Sequence, residues 1–282
     1  MELWDLYDKY RNKTGETHIR GEKIPEGRYH LVVHVWIRNS KGEYMISQRA
    51  ANRPTYPLMW ECVGGSVTKG ENTLEGALRE LKEEVGLELS PNQGRILFTK
   101  IRNAYNGKSF NDIFDVWLFE YDGEVKLEEA TTDEVAQCRW MTKDEIKELY
   151  DTGKFVPSLD YFFCAFDNKT PDYGNIIGSR VRGKIDRPIC SSHPQNPDMV
   201  YPINYGYVAG VYAQDGDEQD VYVLGTNEAL QEYEGTVIAV YHRFNDVEDK
   251  WIVSLDGLNI SDDKIIGDIS FQEQYFYGKL YR

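Results

Sequence analysis

Residues Tyr29 to Arg38 (YHLVVHVWIR) are β-branched and aromatic almost without a break, which is the composition of a strand. The turn Asn39-Ser-Lys-Gly42 and the return stretch Glu43 to Gln48 complete a strand pair. A loop through Pro54 and Pro57 leads to a short strand at Met59 to Val63. Leu74, Ala77, Leu78, Leu81 and Val85 then recur at helical spacing and predict a helix with one buried stripe. Asn72 with Glu75 three residues on forms a capping box at its start, and Gly86 suits the left-handed residue that ends it. Ile96–Arg102 and Asp112–Tyr121 predict a second strand pair, and Glu134–Met141 a last strand. Thr142–Tyr150 reads as a short helix capped by Thr142 and Glu145.

The pattern changes across Pro157 to Asp172, which is rich in aromatics and then turns polar; it is the expected junction. From Ile176 onward short strands recur at Val181–Ile185, Asp220–Leu224, Gly235–Tyr241 and Trp251–Leu255, with one weak helix near the end. That is the pattern of a small β-barrel. Two domains are therefore expected, a mixed α/β domain over 1–164 and a mainly-β domain over 165–282, and 282 residues suffice for two cores.

The formal charge of −15 makes a nucleic-acid partner or an anionic membrane surface poor matches. No apolar stretch approaches a membrane span, and the charged N-terminus has no signal-peptide core, so cytoplasm is the expected compartment. Cys62, Cys138, Cys164 and Cys190 form no CxxC pair and are too few for a disulfide scaffold. A homo-oligomer stays open.

The predicted helix carries Arg79, Glu80, Glu83 and Glu84 on its last two turns. Glu80 and Glu83 are i,i+3 and Glu80 and Glu84 are i,i+4, so three carboxylates crowd one face and repel one another. A divalent cation would turn that repulsion into coordination, and magnesium prefers such oxygen donors. Gly65, Glu71 six residues on, and Arg79-Glu80-Leu81-Lys82-Glu83-Glu84-Val85-Gly86-Leu87 together resemble the Nudix box at every fixed position. The resemblance implies a Nudix sandwich fold and cleavage of a small-molecule diphosphate with Mg2+, or Mn2+, as cofactor. It makes Glu80, Glu83 and Glu84 metal ligands and adds the Gly64 carbonyl. Arg79 would orient a carboxylate, and Glu71 would support the helix start. Glu134 is the candidate general base, with a plain strand-edge role as its alternative.

The stretches GEKIPEGRYHLVVHVWIRN and YPLMWE are most similar to the Nudix branch that includes isopentenyl-diphosphate isomerase. That resemblance implies a catalytic cysteine where this chain has Gly64, and a metal-binding histidine where it has Ser66; His30 falls on another such position. Hydrolysis is therefore preferred, with an isomerase-like enzyme as the alternative.

Downstream, Asp215, Asp217 and Asp220 place three carboxylates in six residues, entering a strand. With Tyr201-Pro-Ile-Asn-Tyr-Gly-Tyr207 they resemble family I soluble inorganic pyrophosphatase over about residues 176–282. The resemblance implies an OB-like barrel, magnesium at the three aspartates and phosphate contact by Tyr205, with Asp246 and Asp249 as further metal-binding positions. Arg182 and Lys184 stand where the family's early strand carries a Lys and a Glu, and the C-terminal phosphate-binding pair has no clear counterpart. Pyrophosphate turnover is accordingly not expected to be complete. A domain that senses a nucleotide or diphosphate without turnover is the remaining alternative.

Overall fold

A computed structural model describes residues 2–105, 108–166 and 171–282. Its chain contacts divide into two units, Met1–Phe163 and Cys164–Arg282.

The first unit opens with a hairpin, β1 (Leu3–Tyr7) and β2 (Lys13–Ile19), which the hydrophobic pattern did not announce. Its main sheet holds β3 (His30–Arg38), β4 (Tyr44–Arg49), β5 (Trp60–Glu61), β6 (Val63–Ser66), β7 (Gly94–Tyr105), β8 (Lys108–Glu120) and β9 (Val135–Met141). The single short strand expected at Met59–Val63 is two strands, broken at Cys62. The break matters because β3 changes partner along its length: Val32–Val35 pair with β6, whereas Ile37 and Arg38 pair with β4. At the fork β5 stays with β4, where Glu61 pairs with Ser47, and β6 crosses to β3, where Gly64 pairs with His34. Helix α1 (Thr73–Val85) packs on β3 and β6. Asn72 caps its N-terminus with both bonds of a capping box, and Gly86 ends it at φ 70°. Helix α2 (Lys143–Asp151) starts on a second capping box at Thr142.

The other face of β3 is covered by aromatic rings from the segment after α2. Trp36 stacks on Phe162 with centroids 4.4 Å apart, and Phe98 meets Tyr161 edge-on. The expected junction is thus core in its first part, because Tyr161 and Phe162 are fully buried in the first unit. Its polar residues 167–170 lie outside the described residues.

In the second unit, β10 (Arg180–Arg187), β11 (Asn204–Tyr212), β12 (Glu218–Leu224), β13 (Glu232–Arg243) and β14 (Lys250–Ser254) run in the order β10-β11-β12-β14-β13, and β13 returns to pair with β10. Five strands therefore close a barrel, and closure removes the exposed edges. β15 (Gly278–Tyr281) adds to β13 outside the ring. One core, including Val221, Val223, Val237 and Val253, belongs to one side of these strands; another, including Tyr222, Ala239 and Ile252, packs with Ile265 and Ile269 of α3 (Asp262–Glu273). Gly183 and Gly206 let β10 and β11 approach closely, since a Cβ at either would strike the carbonyl of the neighbouring strand.

Candidate active site

Arg79 is the centre of the first unit's polar site. Its Nε donates to Glu71 Oε1 at 2.9 Å, and its Nη1 donates to Glu80 Oε1 at 2.9 Å and to Glu83 Oε2 at 2.8 Å. Its Nη2 donates to the Ser66 carbonyl at 2.9 Å. One guanidinium therefore joins the loop before α1 to two carboxylates on the helix, using the planar fork that lysine lacks. Glu71 also accepts from the Thr68 amide at 3.0 Å, which closes the loop.

Glu80 and Glu84 are buried, while Glu83 is partly exposed and its carbonyl accepts from the Thr131 and Thr132 amides. Burial pushes the Glu80 carboxyl up to about 7 against the pull of Arg79; Glu83 and Glu134 push the same way. Burial holds Glu84 well above the carboxylate range, reinforced by Glu80, Glu61 and Glu134. The Gly64 amide is 3.4 Å from Glu84 Oε2, a weak bond for a buried carboxylate. Gly65 is a steric requirement: a Cβ there would lie 2.6 Å from Cδ of Glu80.

Glu134 is partly exposed and ion-paired to Arg53 at 2.5 Å, on the side from which its charge reaches Glu80 and Glu84. Sequence reasoning did not single out Glu61, whose carboxylate pairs with Arg49 at 2.5 Å and whose pKa is raised by burial. Only the fork in the sheet brings it to Glu84, so no linear signal marks it. Cys62 is buried with its thiol pushed well above the usual range by desolvation. His30 is buried under Trp4, with ring centroids 4.1 Å apart. Among the described residues no three His, Cys, Asp or Glu side chains already form a metal cage.

The second unit separates its candidate aspartates. Asp215 and Asp217 are exposed on the β11–β12 turn, where Asp215 Oδ1 accepts the Asp217 amide at 3.0 Å. Asp220 instead accepts from the Tyr205 hydroxyl and from Lys250 Nζ at 2.5 Å. Lys250 is buried and also bonds Glu248. Burial would raise the Asp220 carboxyl, but Lys250 and the neighbouring hydrogen bonds bring it below its ordinary value; burial raises Glu248. Asp249 does not join this group: it accepts from the Tyr173 hydroxyl at 2.5 Å and lies 2.7 Å from His242 Nδ1. Alternation into β14 explains the difference, since Glu248 and Lys250 share one side of the chain and Asp249 takes the other. Asp246 is held by Arg243 at 2.8 Å, and Arg243 is itself forked onto buried Glu273. Arg182 and Lys184 are both exposed on β10.

A split sheet, a helix of clamped glutamates and a glycine loop between them make up the site of the first unit, and the chain belongs to the Nudix hydrolase family. The NUDIX domain family matches residues 28–162, and the inorganic pyrophosphatase family matches residues 176–267. An uncharacterized Nudix hydrolase of Listeria innocua is 38% identical over 164 residues, covering 58% of this chain and 91% of the relative. The chloroplastic isopentenyl-diphosphate Delta-isomerase I of Arabidopsis thaliana is 30% identical, covering 50% of this chain and 54% of that protein. Among solved structures, the MutT protein from Methanosarcina mazei Go1 is 26% identical, covers 49% of this chain and 93% of its own, and superposes with a TM-score of 0.40. No helix among the described residues is long and apolar enough to cross a membrane.

Proposed function

We propose that the N-terminal unit is a divalent-cation-dependent hydrolase that cleaves the diphosphate linkage of a small organic or nucleoside-diphosphate-type substrate. The observation that carries this reading is Glu84, buried beside Gly64 with one long hydrogen bond and next to a second buried carboxylate, Glu80. Such a pair is stable when protonated or when set against a cation. Its all-oxygen donors fit magnesium or manganese. Glu80, Glu83, Glu84 and the Gly64 carbonyl would hold the ion, which when bound neutralises diphosphate charge and acidifies water. Loading requires Glu80 and Glu83 to share or give up their bonds to Arg79.

The remaining chemistry belongs to the chain. Arg79, anchored by Glu71 and Ser66, limits how far Glu80 and Glu83 can swing. Glu134 would take the proton of the attacking water, and its ion pair with Arg53 fixes where its carboxylate sits. A chromatographic screen for hydrolysis products with magnesium across ADP-ribose, dinucleoside polyphosphates, nucleoside triphosphates and organic diphosphates should find a substrate; activity undiminished in EDTA would overturn the reading.

Isomerisation is not favoured. Gly64 offers no thiol, Cys62 is buried and His30 is covered by Trp4. Incubation with isopentenyl diphosphate in heavy water should give no deuterated allylic product.

The second unit is proposed as an OB-like barrel in which magnesium or manganese reaches Asp220 and Glu248 only in competition with Lys250, and which turns over pyrophosphate weakly or not at all. Lys250 already neutralises those two carboxylates, and Asp215 and Asp217 stand apart from them.

A further inference from the structure

The N-terminal hairpin brings a cation to the glutamate site. β1 is held on the loop before α1: the Lys69 amide donates to the Leu3 carbonyl at 2.8 Å, and the Gly70 amide donates to Asp5 Oδ2 at 3.0 Å. That loop runs from Ser66, whose carbonyl accepts from Arg79 Nη2, to Glu71, which accepts from Arg79 Nε. Leu3 pairs with Ile19 of β2, and the Arg20 amide donates to the Glu2 carbonyl at 3.1 Å. Arg20 therefore leaves the hairpin beside the loop that Arg79 binds. Its Nη1 donates to Glu2 Oε2 at 2.6 Å, and Glu2 Oε1 is fixed in turn by the Trp4 indole N–H at 2.7 Å. Trp4 is buried and stacked on His30, so this end of the hairpin has a firm base. The contact with Glu2 first, and then the charges of Glu134 and Glu80, hold the Arg20 guanidinium protonated.

The other cations of the site are already committed. Arg79 donates to Glu71, Glu80, Glu83 and Ser66. Arg49 divides its donors between Glu61 and Thr55. Arg53 is held on Glu134 and is only 20% exposed. Glu71, Glu80, Glu83, Glu84 and Glu134 outnumber these arginines, so a diphosphate entering the site meets carboxylates unless a further cation faces it. Arg20 meets that need. Its side chain is 54% exposed, and among the described residues only Nη1 is engaged by a side chain. The remaining edge of the planar guanidinium suits two phosphate oxygens at once.

We infer that Arg20 is a substrate-binding residue: its guanidinium donates to phosphate oxygens of a diphosphate held at the Glu80–Glu84 site, with Glu2 as the positioning residue that orients it. The hairpin is then part of the active site although it lies outside the family match at residues 28–162. The inference rests on the hydrolase reading for where the diphosphate sits.

The test uses the full chain and methylenediphosphonate, a diphosphate analogue with no cleavable P–O–P bridge, titrated by calorimetry with magnesium present. Arg20→Gln should weaken its binding at least about 10-fold, because charge-assisted bonds are lost. Arg20→Lys keeps the charge but not the fork and should fall between the two. Manganese titrated without the diphosphonate should not follow: Arg20→Gln removes a like charge near the glutamates, so affinity should stay the same or tighten by up to about 3-fold. The second unit is identical in every chain, so differences between the chains read the first unit. Weaker manganese binding alongside weaker diphosphonate binding would mark Arg20 as a support of the fold and overturn the proposal. Equal diphosphonate affinity in wild type and Arg20→Gln, or no binding by the wild type, would overturn it too. If such a chain still hydrolyses a compound of the wider screen, the hydrolase reading stands alone. Arg20-dependent binding with nothing in the screen hydrolysed would remove the hydrolase reading and keep Arg20 in a diphosphate-binding site.

Discussion

Glu80 and Glu84 sit one helical turn apart, both buried, and this arrangement is costly unless something neutralises them. Their raised pKa values set the sign of a pH effect. The Glu80 carboxyl is at about 7 in the folded chain against 4.5 ordinarily, so its protonation favours the fold fully below about 4.5, and that contribution is lost as pH rises through about 7. Glu84 acts in the same direction. In EDTA the protein should therefore melt at least about 5 °C lower at pH 8 than at pH 5, and magnesium should restore the loss at pH 8. Glu84→Gln should flatten this dependence while lowering kcat by about 10²-fold or more. Thermal melts at the two pH values, with turnover measured in parallel, check both; wild-type turnover in the mutant would remove Glu84 from the site.

At the scale of elements, the placement of α1 depends on one buried carboxylate. Asp115 on β8 accepts both Arg11 Nη1 at 3.0 Å and Nη2 at 2.5 Å, the Thr73 hydroxyl at 2.6 Å and the Thr99 hydroxyl at 2.7 Å. It thus ties the N-terminal hairpin, the first turn of α1 and β7 to the sheet. Asp115→Ala leaves Arg11 without this partner and should destabilise the first unit by about 3–5 kcal/mol, read from urea unfolding followed by fluorescence. Asn72→Ala removes the side-chain cap of the same helix and should cost only about 1 kcal/mol. If the two substitutions cost the same, Asp115 is not the joint described. The caps and the apolar stripe of α1 were legible because they are local: spacing and a few turn residues specify them. Asp115 was not, because its partners lie up to 104 residues away in sequence.

For the molecule as a whole, two family resemblances occupy one chain, but their sites are built to different degrees. The first unit clamps its glutamates with Arg79; the second sets a buried lysine against its acidic pair. Lys250→Met should destabilise the metal-free protein by about 3–5 kcal/mol, because Asp220 and Glu248 then face each other without a counter-charge. Manganese should reverse much of that loss, and its affinity in a Glu84→Gln background should rise by about 10-fold over the same chain with Lys250 intact. Calorimetric titration of the two full-length variants measures this. Unchanged manganese affinity would show that Lys250 does not compete for the cation position.

The sequence by itself determined the local features: the glycine loop, the capped helix with Arg79, Glu80, Glu83 and Glu84, the strand-rich second half and its acidic turn. Each depends on residues within a few positions of one another, so periodicity and turn chemistry suffice to read it. Only the tertiary structure decided which side chains meet. The fork where β3 passes from β6 to β4 sets Glu61 and Gly64 on different partner strands, and the charge of Glu61 reaches Glu84. The return of the aromatic segment places Tyr161 on His34, 127 residues earlier. In the barrel, strand alternation sends Asp249 to His242 and Glu248 to Lys250, separating carboxylates that are adjacent in the chain. Such pairings follow from sheet register and long-range packing, and nothing local in the sequence encodes them.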